Sequence, residues 1–209
     1  MNLLRALFAD VGSRLADLGV RRQPGRSRTL TVPGDRGDAI LLSPQTVPSG
    51  FPDRAEFMLN ISNHLLPWTA YLADVSLEEA RAEPPQYARG VYHSRLTWSS
   101  GNPAELWAVT PATLDAVTEQ LTAGLRRALT TTWLPILPRP DLRALIRGDR
   151  PGPGHLRGRP AIVDLMCHIE DRTSDELHEY ARFFRSRADT DPDLERLANW
   201  IGSTFGSGL

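Results

Sequence analysis

The chain has 209 residues, of which 41% are hydrophobic and 23% charged, with a formal net charge of −1. That composition can bury a core without covalent staples, and it leaves no overall field to draw the protein onto nucleic acid or an anionic membrane. All 24 basic residues are arginine and Cys167 is the only cysteine, which excludes phosphate-loop, kinase-strand, Schiff-base and lysine-nucleophile chemistry together with disulfides and cysteine-pair zinc or redox motifs.

No run approaches the roughly 18 apolar residues of a membrane span. Met1–Asp10 lacks the basic start of a secretory leader and is interrupted by Arg5 and Asp10, so a cytoplasmic protein is expected. From Asn2 to Leu18, Leu3, Leu7, Val11, Leu15 and Leu18 fall on one helical face, and Gly19 supplies the stop. Arg28–Val32 alternates, Pro33–Asp38 has turn chemistry and Ala39–Ser43 is a second strand, which predicts a hairpin. In Phe57–His64, Phe57, Leu59 and Ile61 take one side and Met58, Asn60, Ser62 and His64 the other. Ala73–Gly90, with Glu78, Glu79, Glu83, Pro84 and Pro85, reads as a surface loop with room for a short helix.

Val91–Trp98 is the next strand, with Tyr92, Leu96 and Trp98 on one face and His93, Arg95 and Thr97 on the other. A Gly101–Pro103 turn leads to a short strand at Leu106–Val109. Thr110-Pro111 opens a long helix with a stripe at Leu114, Val117, Leu121, Leu125 and Ala128, stopped by Pro135 and Pro138, and Asp141–Arg147 makes a further short helix. The Gly/Pro/Arg-rich stretch 148–160 reads as a linker. Beyond it come three helical segments: Ala161–Glu170, a helix behind the Thr173/Glu176 capping box, and one opened by Asp191-Pro192.

The expected fold is therefore α+β: a mostly antiparallel sheet of four to six strands, with the opening helix and the long central helix on one face and a helical C-terminal segment. The division is a core domain at 1–147, a linker at 148–160 and a helical appendage at 161–209.

The succession of Leu18–Arg22, hairpin, Phe57–Ile61, His93–Leu96, Leu106-Trp107 and the long capped helix resembles the uncharacterised bacterial family known as domain of unknown function forty-three-oh-four, over roughly residues 2–147. Val20 stands where that family usually has an aromatic residue. The resemblance implies the same fold, lends weight to Asn60, His93 and Arg95, and implies no activity or catalytic set.

Strand alternation sends Asn60, Ser62, His64, His93 and Arg95 to the side away from the core, a set suited to an anionic or hydrogen-bonding ligand. A solvated sheet face with incidental histidines is the plainer account. Cys167, His168, Glu170, Asp171, His155 and His178 can be drawn as a metal set, but the plainer account is a packed thiol beside exposed charge, and no metal or other cofactor is expected. The arginines at 21, 22, 26, 28, 126, 127, 157 and 159 lack interleaved aromatics, which argues against nucleic-acid binding. A Ser62 or Ser94 triad has nothing to activate it, His178–Arg182 lacks the second histidine of a zinc protease, and Gly202–Gly206 lacks the serine of a nucleophile elbow. The tryptophans are expected in the core, with Trp68 and Trp200 as the candidates for exposure.

The functional expectation is a non-enzymatic cytoplasmic binding or regulatory protein, such as one that neutralises another protein. A small-ligand protein or enzyme using the polar face is the alternative, and a nucleic-acid-associated protein ranks third. Another protein is the expected partner, a membrane is not, and oligomeric state is left open.

Overall fold

The structure, a computed structural model, describes residues 2–23, 28–82, 90–97, 106–148 and 152–206. Helix α1 (Leu3–Arg14) begins at Asn2, whose side chain accepts from the Arg5 amide, and it buries Leu4, Leu7, Phe8 and Val11. Spacings of three and four make that stripe. A short turn at Ala16–Leu18 then ends at Gly19 in the left-handed region. Next come β1 (Arg21–Arg22), β2 (Leu30–Pro33), β3 (Ala39–Val47) and β4 (Ala55–His64). Helices α2 (Leu66–Ala73) and α3 (Leu77–Ala82) precede β5 (Tyr92–Leu96) and β6 (Trp107–Val109).

All strand pairings are antiparallel, in the order β1-β2-β3-β4-β5, with β7 (His155–Leu156) added beyond β5. Strand β4 is long enough to pair with β5 through Leu59–Asn63 and with β6 through Ala55–Phe57. The fold is α+β, as the strand alternation and helical stripes predict.

Helix α4 (Leu114–Ala128) follows a tight turn at Pro111–Thr113, where the Thr110 amide donates to the Thr113 hydroxyl at 3.0 Å. Helices α1 and α4 pack together over the apolar face of the sheet. Phe8 meets Phe57 edge-on at 5.7 Å between ring centres, and Phe57 stacks on Trp107 at 6.4 Å. The Arg126 fork holds Asp17, at 2.6 and 2.9 Å, and the Arg14 carbonyl, so one of the expected basic clusters ties α4 to the end of α1.

Helix α5 (Arg139–Ile146) leads through β7 to α6 (Pro160–Met166), α7 (Ser174–Arg185) and α8 (Pro192–Phe205). The Thr173/Glu176 capping box forms as its spacing predicts. The C-terminal helices share one core with the sheet: Trp200 donates to the Val75 carbonyl at 2.8 Å, packs edge-on against Tyr71, and is 2% exposed. Trp68 is buried as well, so both candidates for exposure belong to the core with the other buried tryptophans. Both are covered because α2, to which the hydrophobic pattern assigns no element, forms the floor on which the tail docks.

Within the stretch read as a linker, His155-Leu156 is a strand and the Arg157 amide donates to the Val91 carbonyl at 2.7 Å. Glycine serves close packing there: Gly158 has φ +96°, and a side chain on it would run into the Trp68 ring. Asp149–Pro151 of that stretch lies outside the described residues, as do Arg26, Glu83, Pro84, Pro85, Trp98 and the Gly101–Pro103 turn. No helix among the described residues is long and apolar enough to cross a membrane.

Candidate functional site

Register places the polar residues of β4 and β5 beside one another. Asn60 pairs with Arg95 and Ser62 with His93, while His93 pairs with His155 of β7 on its other side. Directly opposed residues share a sheet face, so Asn60, Ser62, His93, Arg95 and His155 line one surface, and alternation along β4 adds His64. Ser94 falls on the other face, which separates it from His93. His93 Nε2 lies 3.2 Å from Asn60 Oδ1, and because an amide oxygen only accepts, the ring nitrogen donates.

Burial divides the set. Arg95 is exposed, and Asn60 and His93 are half-buried. Ser62 and His64 are closed off, at 9% and 8% exposure, with the Ser62 hydroxyl 3.1 Å from His64 Nε2. The chain at Gly90 is one reason: it passes so near β4 that an added Cβ would sit 2.7 Å from Ser62 Cβ. Ser62 and His64 therefore belong to the same face but are covered instead of facing solvent, a distinction that alternation by itself does not make. Burial first, and then the positive charges of Arg157 and Arg95, hold the His93 imidazole below its ordinary value. The face is cationic around a neutral ring.

The Cys167 group does not converge. Cys167 is buried, and its thiol is pushed up to about 12, chiefly by desolvation. Asp171 pairs with Arg36 at 2.6 Å, Glu170 pairs with Arg81 and Arg139, and His155 belongs to the polar sheet face. No set of three or more metal-ligating side chains gathers among the described residues.

A stripe of arginines along α5 escapes the hydrophobic reading. Arg139, Arg143 and Arg147 recur every fourth residue and point toward two adjoining hollows of about 540 and 480 Å³. Arg139 is buried, holding Asp38 at 2.7 and 3.1 Å and Glu170 at 2.5 Å. Asp38 also accepts from the Leu66 amide at 2.8 Å and so caps α2. Arg143 and Arg147 both fork onto Asp164 of α6, with shortest contacts of 2.8 and 3.0 Å. The fourfold spacing is visible in the sequence, but the carboxylates it meets lie 17 to 101 positions away.

No family model, curated protein or solved structure matches the chain.

Proposed function

We propose that this chain is a binding protein without catalytic turnover, of the kind described by domain of unknown function forty-three-oh-four, and that it holds an acidic segment of a protein partner on the polar sheet face through Asn60, His93 and Arg95. The observation that carries the reading is the register: Asn60 stands opposite Arg95 and within hydrogen-bond reach of His93, which puts an amide, a neutral imidazole and a guanidinium on adjacent positions. An arginine fork suits a carboxylate, and the amide and imidazole add hydrogen-bonding capacity that fixes orientation. Arg157 supplements the positive field at His93. Ser62 and His64, covered on the same face, support the geometry without contacting the partner.

The test compares the intact protein with His93→Ala and Arg95→Ala in capture from native cell extract, followed by titration of the recovered partner. Expected is a loss of capture in both variants, with a melting temperature close to the parent for exposed Arg95, where surface changes usually cost within about half a kcal/mol, and a modest drop for half-buried His93. Unchanged capture by both variants, or a large loss of thermal stability in either, would overturn the assignment of this face.

A further inference from the structure

The first hollow of the α5 stripe, of about 540 Å³, falls within the size range of small-molecule sites and shares no lining residue with the polar sheet face. The β2–β3 turn, helix α5 and the chain that follows α6 bound it. Arg139, 8% exposed and held by Asp38 and Glu170, makes one fixed wall. Arg36 makes another: its guanidinium reaches Asp171 at 2.6 Å from a backbone at φ +55°. A non-glycine residue keeps that left-handed conformation where its surroundings hold it, and such positions gather at ligand clamps.

Charge around this hollow is close to balanced. Four guanidiniums line it, those of Arg36, Arg139, Arg143 and Arg147, beside the carboxylates of Asp35, Asp38 and Asp171. Two further carboxylates, Asp164 and Glu170, are held by those same arginines. A net anion therefore finds no attractive field here, whereas a ligand that carries both signs can meet both.

The groups left over name the two signs. The Asp35 carboxylate is exposed at the turn and has no ion pair or side-chain hydrogen bond among the described residues. Arg143 uses Nε and Nη2 on Asp164, at 2.8 and 3.4 Å, which leaves its Nη1 edge with donors to offer. His168 Nδ1 donates to the Asp164 carbonyl oxygen at 2.7 Å, so its Nε2 is an acceptor on the same lining. Leu137, Pro138, Pro140 and Ala144 supply an apolar strip beside these groups.

An ammonium brings three N–H donors for Asp35 and His168, a carboxylate matches a guanidinium edge, and a branched hydrocarbon matches the strip. We infer that this hollow binds a free aliphatic α-amino acid, with its ammonium on Asp35, its carboxylate on Arg143 and its side chain against Leu137 and Ala144.

Calorimetric titration of the intact chain with leucine, isocaproate, isoamylamine and glycine tests the assignment, since the last three are leucine without its ammonium, its carboxylate and its side chain. Expected is saturable leucine binding at millimolar concentration or below, with each truncated relative weaker by about tenfold or more, the value of one charge-assisted hydrogen bond or of a few buried methylenes. Asp35→Asn should weaken leucine about tenfold and leave isocaproate unchanged. Arg143→Lys, which keeps a positive charge beside Asp164, should weaken leucine and leave isoamylamine unchanged. Asp35 is exposed and its side chain has no bond to lose, so that variant reads binding and not folding. Failure of leucine to saturate, any truncated relative binding as tightly as leucine, or leucine affinity unchanged in both variants would overturn the inference.

Discussion

The two ends of α5 use the same residue in opposite ways. Side-chain exposure along the stripe rises from 8% at Arg139 to 30% at Arg143 and 53% at Arg147. At the buried end one guanidinium satisfies two carboxylates, Asp38 and Glu170, and so joins the β2–β3 turn, the start of α2 and the segment after α6. At the exposed end two guanidiniums divide one carboxylate. Burial and charge ratio, not residue type or spacing, distinguish the end that joins distant segments from the end whose charges solvent screens.

The largest expected effect is at Arg139. Arg139→Ala removes the counter-charge from a buried pair, which costs about 3–5 kcal/mol and, for a chain of this size, lowers the unfolding midpoint by roughly 10 °C. A thermal melt that moved by less than about 2 °C would place Arg139 with the exposed arginines and break the comparison.

Cys167 lines the same hollow as Arg139 and sharpens the contrast from the side of reactivity. Its thiol is 3% exposed and pushed up to about 12 from an ordinary 9, first by burial. Alkylation in the native state should run roughly a thousandfold slower than in denaturant, since the thiolate is the reactive form. Native labelling as fast as that of the unfolded chain would mean that this region opens readily.

Much of this fold is written locally. The stripe of α1, the alternation in β4 and the Thr173/Glu176 box each lie within a few residues and each forms as patterned. Helix α2 has no such signature, because Leu66, Pro67, Trp68, Thr69, Ala70 and Tyr71 are all buried, and a helix covered on every side loses the polar phase that reveals a period. Strand β7 was hidden for a related reason: Gly158, read as a flexibility signal, is there to let the backbone approach Trp68. In the polar face, alternation chose the side on which Asn60, Ser62, His64, His93 and Arg95 lie, but the chain passing at Gly90 decides how far Ser62 is shut in. The arginine groove depends on partners brought together by folding, so no local pattern could have announced it.

Acid should separate the imidazoles from the carboxylates. Burial, followed by neighbouring positive charge, holds both His93 and His168 below the ordinary 6.5. The unfolded chain therefore takes up these protons first, and stability is full above about 6.5 and falls as pH drops through the lower folded values. For Asp164, burial pushes the carboxyl up, but hydrogen bonds and charge from Arg143 and Arg147 prevail and hold it below the ordinary 3.8. Its contribution is lost in a second, more acidic step. His93→Gln should flatten the first step and leave the second, as read from urea midpoints across the pH range; an unaltered first step would remove His93 as one of its sources.

The smallest effect is expected at the far end of the stripe. Arg147 is 53% exposed and shares Asp164 with Arg143, which alone still grips the carboxylate at 2.8 Å. An exposed ion pair contributes about 0–1 kcal/mol, because solvent screens the charges and a long side chain loses freedom in holding its position. Arg147→Ala should accordingly shift the melt by no more than about 4 °C, and added salt should shrink even that difference. Asp164→Asn should cost more, because it leaves two guanidiniums facing each other without the charge that gathered them. If Arg147→Ala proved as damaging as Arg139→Ala, burial could not be what distinguishes the two ends of α5. Near-neutrality at Arg147 beside a larger loss at Asp164 is the outcome required if the carboxylate organises the arginines and the outermost one, screened by solvent, adds little to the fold.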